Sequence, residues 1–207
     1  MKIQLHRFLP LTTSEGPGKR ACVWVQGCPI HCKGCGVPWT WNPNHGIRTN
    51  VEEIWTQIEE SKRKHDIEGI TFLGGEPFEQ AEALSVLAER AQEDGLSVMT
   101  FSGYYREQLE ELAKPGAEKL LANTDIFLDG PFEIDHPDHV RPWIGSTNQG
   151  IHFLTDRYKA LENKLSEFPD RLEIYLKDDG TIEANGMVPT EVWKRLLKDF
   201  NGVKLKR

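Results

Sequence analysis

Between Arg20 and Leu128, short apolar runs alternate with stretches of helical periodicity. That alternation constrains the fold more than any other feature of the chain. RACVWVQ (Arg20 to Gln26), GITFLGG (Gly69 to Gly75), Leu96 to Phe101 and Asp125 to Leu128 read as strands, behind a short opening strand. Val51, Ile54 and Ile58 carry a helix to His65 behind an Asn50 cap. Ala83, Leu84, Leu87, Ala88 and Ala91 mark a second helix, and Tyr105 to Ala113 a third. Such alternation implies right-handed βαβ units around a parallel sheet. The units are too few to close an eight-fold barrel. The expected fold is therefore α/β, a partial (open) parallel β/α barrel or an open parallel sheet.

After Arg171 the pattern changes. LEIYLKDDGTIEA has two alternating runs around Asp179-Gly180, a hairpin signal. A helical pattern follows through Val192, Trp193, Leu196, Leu197 and Phe200. The 207 residues suit one core. We expect a core over 1–170, with the C-terminal β-hairpin plus helix of 171–207 appended to the same domain.

Charge and hydropathy narrow the function. A net charge of −7 argues against a general nucleic-acid binder. Glu107, Glu110 and Glu111 read as a solvated helix face. No apolar run approaches the length of a membrane span, and MKIQLHRFLPLTTSEGPGKR lacks the pattern of a signal peptide. A cytoplasmic location is expected, with no membrane partner. Four cysteines in that reducing compartment point to metal or catalysis before disulfides.

Three of the four, Cys28, Cys32 and Cys35, fall in QGCPIHCKGCGVPWTW at the end of a strand. A closed structural zinc site needs a fourth ligand. His31 adjoins Cys32 and is badly placed for the same ion. Cys22 lies six residues before Cys28, roughly 20 Å away along an extended strand, and reads as a small buried hydrophobe. The trio suits a [4Fe–4S] cluster with one iron left open to a small molecule. Downstream, FLGGEP ends a parallel strand with Gly74, Gly75 and Glu76. Ligands of parallel sheets bind beyond such ends, where glycines let them approach the backbone.

Together these motifs resemble the radical-SAM superfamily. The resemblance implies a [4Fe–4S] cluster on Cys28, Cys32 and Cys35, with S-adenosylmethionine chelating the open iron. It places Gly74, Gly75 and Glu76 at the methionine amino group. Within the superfamily the chain is most similar to activating proteins of anaerobic (class III) ribonucleotide reductase. GPGKR (Gly16 to Arg20), TFSGY (Thr100 to Tyr104), DGPF (Asp129 to Phe132) and GSTNQ (Gly145 to Gln149) carry that likeness. It implies a glycyl-radical enzyme as protein substrate and a flavodoxin- or ferredoxin-like electron donor. Ser102 and Tyr104 become candidate contacts for the ribose or the methionine carboxylate, or strand-end packing residues. Asp129 is a candidate near the adenosyl or partner site, or a turn former. No catalytic residue beyond the cluster ligands is expected.

Other readings stand beside this one. Trp39 and Trp41 serve as a roof over the cluster, a partner anchor or core packing. EIDHPDHV, with His136 and His139, reads as an exposed loop and not a second metal site. The chain departs from the reductase activators where arginines flank their GS-x-NQ motif: Ile144 and Gly150 stand here, with Arg141 nearby. A small-molecule radical-SAM enzyme of deazaguanine synthesis is the alternative, although Gly36 replaces the aspartate expected after the third cysteine. A non-enzymatic iron–sulfur or zinc module is the other.

Overall fold

The computed structural model describes residues 1–168, 172–176, 178–179, 182–186, 195 and 205–206. Its main sheet has seven strands: β1 (Lys2–Thr12), β2 (Arg20–Val25), β3 (Ile47–Asn50), β4 (Gly69–Gly74), β5 (Ser97–Phe101), β6 (Ile126–Asp129) and β7 (Gly150–Phe153). They lie in the order β3-β1-β2-β4-β5-β6-β7, so β3 and β7 are free edges and the sheet is open. The middle four, β2-β4-β5-β6, pair in parallel. β1 pairs antiparallel with β2 and β3, and β7 antiparallel with β6. The four strands read from the sequence thus pair in parallel as expected, and antiparallel strands, whose pairing the sequence did not indicate, are added at both sides.

Helices α1 (Val51–His65), α2 (Ala81–Glu93), α3 (Arg106–Leu112) and α4 (Ala117–Ala122) connect the parallel strands. Their buried residues, among them Ile54, Leu84, Leu109 and Leu120, form one cluster with Val23, Phe72, Val98 and Phe127 of the strands. Successive strand side chains alternate faces, so Cys22, Trp24, Leu73, Met99 and Leu128 point the other way into separate apolar groups. Asn50 occupies the first cap position of α1 without capping it; its side chain donates to Glu53 Oε1 at 2.8 Å. The opening strand is eleven residues long, not short.

At the amino ends of the parallel strands sits Arg20, fully buried. Its guanidinium donates to Thr71 Oγ1, Ser97 Oγ and the carbonyls of Pro17, Ile70 and Ser97, at 2.5 to 3.2 Å. A buried cation is tolerable only when its donors are met this fully.

The hairpin is present as β8 (Leu172–Leu176) and β9 (Ile182–Gly186), paired antiparallel. It docks on the end of β1: Glu173 accepts from Thr13 N–H at 2.8 Å and from the Thr13 hydroxyl at 2.9 Å. The helix expected through Val192 to Phe200 lies outside the described residues. No helix among those described is long and apolar enough to cross a membrane.

Candidate functional site

Everything the sequence singled out for chemistry gathers at the carboxyl ends of the parallel strands. β2 runs into the cysteine loop, whose base is bonded to its neighbours at both sides. Gly27 N–H donates to Thr40 O at 2.7 Å, and Cys28 N–H to Trp41 O at 3.0 Å. Across from it, Gly75 N–H donates to Val25 O and Glu76 N–H to Gly27 O, each at 2.8 Å. Gly74 turns the chain there with φ of 113°, open to glycine and strained for other residues. Gly75 is needed for space: a Cβ there would overlap the Gly27 carbonyl oxygen and stand 2.8 Å from its carbon. The glycine pair thus brings the strand end against the cysteine loop.

The three thiols are free and half-buried. Backbone N–H groups of Ile30 and His31 face the Cys28 sulfur, and that of Phe132 faces the Cys32 sulfur. Val37 N–H lies 3.4 Å from Cys35 Sγ. Burial raises the Cys28 and Cys32 thiols above their ordinary value, and these donors oppose it. Among the described residues no three His, Cys, Asp or Glu side chains converge where one metal ion could sit. A closed zinc site requires that convergence, whereas a cubane takes its cysteines on different irons. The donor set, three soft sulfurs each met by N–H groups on a glycine-containing loop, fits an iron–sulfur cluster.

Glu76 is 1 % exposed, and its carboxylate accepts from Gly103 N–H (2.7 Å), Phe78 N–H (2.9 Å) and the Ser102 hydroxyl (3.0 Å). Burial pushes it up to about 7 despite those donors. Ser102 is therefore engaged in orienting Glu76, and its own oxygen accepts from Tyr104 N–H at 3.0 Å. The Tyr104 hydroxyl donates to Glu79 at 2.7 Å, which together with burial raises it. Asp129 is 5 % exposed; it accepts from Arg106 N–H (3.0 Å) and Gly150 N–H (3.2 Å), with His152 Nε2 2.9 Å away. Its carboxylate ties the end of β6 to α3 and β7.

The later motifs fold over the cysteine loop. Gln149 Oε1 accepts from Gly145 and Ser146 N–H, and its Nε2 donates to Gly130 O at 3.0 Å. Asn148 Nδ2 donates to Pro131 O at 2.7 Å. GSTNQ is thus the clamp that holds DGPF, whose Phe132 N–H faces Cys32. Arg141 braces the clamp, donating to Gln149 O, Thr147 O and Asp138. Both departures have local reasons. Ile144 is buried beside Trp143 in the second apolar group. A side chain at residue 150 would overlap Asp129 Oδ1 and stand 2.6 Å from His152 Nε2.

His31 is exposed with φ of 54° and stacks on Trp41 at 4.5 Å. With Trp39 and Pro38 the pair lines an open pocket of about 480 Å³ on the outer side of the loop. Cys22 is wholly buried with Trp24 and Leu73. The stretch 133–140 is mostly exposed, and His136 Nδ1 lies 2.8 Å from Glu133. Gln26 and Gln80 escaped the sequence reading. Gln26, 2 % exposed, donates to Trp39 O and Asn42 O, while Gln80 donates to Gln26 O and Gln4 O. A polar residue closing the apolar run RACVWV was the available signal.

Comparison with known proteins agrees. Residues 14–152, more than half of the chain, match the family described as 4Fe-4S single cluster domain. The anaerobic ribonucleoside-triphosphate reductase-activating protein of Vibrio cholerae is 29% identical over 157 residues, 72% of this chain and 97% of that protein. Its Escherichia coli K12 counterpart is 28% identical over 156 residues, 72% and 97%. The pyruvate formate-lyase-activating enzyme of Clostridium pasteurianum is 30% identical over 163 residues, 77% of this chain and 63% of that protein. Among solved structures, QueE from Escherichia coli superposes with a TM-score of 0.41 at 17% identity, over 50% of this chain and 53% of that one, too remote to carry an argument. The chain belongs to the 4Fe-4S single-cluster family and is a radical-SAM enzyme, with a [4Fe–4S] cluster and S-adenosylmethionine as its cofactors.

Proposed function

We propose that this chain is a glycyl-radical activase whose protein substrate is an anaerobic (class III) ribonucleotide reductase. Cys28, Cys32 and Cys35 hold the cluster, and Gly74, Gly75 and Glu76 receive the amino group of S-adenosylmethionine. The observation that carries this reading is the bonding of the cysteine loop to the glycine strand end through Glu76 N–H and Gly27 O. The printed names of the relatives support it: reductase activators over nearly their whole length, and a pyruvate formate-lyase activator over part of its own.

A cluster held by Cys28, Cys32 and Cys35 would supply one-electron reduction of the S-adenosylmethionine sulfonium, with electrons from a flavodoxin- or ferredoxin-like donor, the chemistry needed for hydrogen abstraction at a glycine Cα of the partner. The chain's residues position and shield. An incoming ammonium would favour the carboxylate form of Glu76, whose direction the Ser102 hydroxyl and Gly103 N–H fix. Tyr104 and Asp129 act through the segments they tie together. Leu73 and Phe101, just before the two strand ends, keep the floor of the site apolar and exclude water. In this reading the open sheet is a partial β/α barrel of the radical-SAM type, spanning 1–170 with 171–207 appended, in a cytoplasmic protein.

The test is anaerobic incubation of the reconstituted chain with a class III reductase, S-adenosylmethionine and dithionite. A glycyl-radical doublet in the electron paramagnetic resonance spectrum, absent with Cys32→Ala, is expected. No doublet alongside full 5′-deoxyadenosine formation would transfer the chain to another substrate.

A further inference from the structure

Two buried donors on the face of the sheet away from the helices have no partner among the described residues. Trp24 is 9 % exposed, and its indole Nε1 is buried without an acceptor; so is Arg7 Nε. They are neighbours: the Arg7 guanidinium lies 4.4 Å from the centroid of the Trp24 ring. Buried donors are rarely left unmet, because each forfeits its bond to water. Around them lie Cys22, Leu73, Phe101 and Val37. Leu73 precedes Gly74, Phe101 precedes Ser102, and Val37 bonds Cys35 Sγ. The orphan pair therefore lies at the floor of the candidate site.

Arg7 is also held deliberately. Its Nη2 donates to Asn185 Oδ1 at 2.7 Å, and Asn185 Nδ2 donates to Thr12 Oγ1 and Ser14 Oγ at 3.0 and 2.9 Å. Asn185 belongs to the hairpin, beyond the 14–152 of the family match. The bond to Asn185 uses Nη2 and leaves Nε without an acceptor among the described residues. The charges around Arg7 decide what it can take. Glu15 and Glu183 act on it, and Glu173 acts on Glu15. Glu183 faces its positive charge, while burial raises Glu15 to about 7 so that Glu15 holds its proton below that; an uncharged acceptor adds no charge to this set.

We propose that Trp24 Nε1 and Arg7 Nε bind a backbone carbonyl of the substrate peptide segment, and that Asn185 is the positioning residue that orients Arg7 for it. This rests on the activase reading, and deepens it by naming the group on the partner that the site recognises.

The test uses the full chain, reconstituted and with S-adenosylmethionine, and the blocked peptide N-acetyl-Ala-Ala-Gly-Ala-Ala-amide as probe. The indole N–H resonance that disappears in Trp24→Phe identifies Trp24. Adding peptide should move it downfield and slow its hydrogen exchange. Peptide affinity should fall about three- to tenfold in Trp24→Phe and in Arg7→Met, the loss of one hydrogen bond each. Asn185→Leu should weaken binding in the same direction, and Trp55→Phe on α1 should not. The proposal is overturned if the resonance does not move, as when an internal water holds the donor, or if Trp24→Phe binds like the parent. It is also overturned if acetate moves the resonance as effectively as the peptide. If 5′-deoxyadenosine and the glycyl radical form without these effects, this inference alone fails. If the resonance responds but no radical forms on the reductase, the activase reading alone fails.

Discussion

Replacing Gly75 by alanine tests the contact on which the site is built. The new Cβ would overlap Gly27 O and stand 2.8 and 3.0 Å from Gly27 C and N, all backbone atoms that no rotamer change can move. Relief requires the end of β4 and the cysteine loop to part. That movement stretches Gly75 N–H to Val25 O and Glu76 N–H to Gly27 O, both now 2.8 Å. Overpacking costs about 1–3 kcal/mol and each weakened bond about 0.5–1.5 kcal/mol, so the expected loss is about 2–6 kcal/mol. Urea denaturation of the reduced apoprotein under anaerobic conditions measures it. Gly36→Ala is the control, since nothing lies within 4 Å of a Cβ there. Iron and acid-labile sulfide per chain after reconstitution should fall with Gly75→Ala and hold with Gly36→Ala. A Gly75→Ala protein within about 0.5 kcal/mol of the parent, with full cluster content, would refute the reasoning.

Three further outcomes are expected. Arg20→Met should cost about 3–5 kcal/mol, because the carbonyls of Pro17, Ile70 and Ser97 lose their buried donor; a loss below about 1 kcal/mol would mean that water replaces the guanidinium. Glu15 and Glu76 are both raised from 4.5 to about 7 by burial, so the folded apoprotein holds their protons more tightly than the unfolded chain does. Their contribution is complete below about pH 4.5 and lost as pH rises through 7, by up to about 3 kcal/mol each, and Glu15→Gln should flatten that decline between pH 5 and 8; an unchanged slope counts against it. Because burial raises the Cys28 and Cys32 thiols, cluster assembly at pH 7 should release protons and become more favourable as pH rises. Assembly in weak buffer monitored by a pH indicator reads this directly, and no acidification would contradict protonated thiols in the apo state.

The central strands and the first two helices were legible because each is a local pattern: apolar run, turn, helical period. β3 (IRTN) and β7 (GIHF) were not legible. They are edge strands of mostly exposed or half-buried residues, with nothing in their own sequence to separate them from loop. Helix α4 is six residues long, too short for its period to show. The antiparallel pairing of β1 also depends on its neighbours, which no local window contains. At the site the same division holds. Cys28, Cys32, Cys35 and the Gly74-Gly75-Glu76 turn were readable by type and spacing. The use of Ser102 as a donor to Glu76, of Gln26 as a brace, and of GSTNQ as a clamp on DGPF was not.

By itself, then, the sequence determined the chemistry: three thiols spaced for a cluster, and a glycine turn at a parallel strand end where a ligand can approach. Those are covalent and local facts, settled by residue type and neighbours along the chain. Only the tertiary structure decided that Gly75 packs against Gly27, that Phe132 N–H faces Cys32, and that Asn185 reaches back to Arg7. These contacts join residues 48, 100 and 178 apart in sequence, and they are selected by the packing of the whole sheet and not by any local pattern.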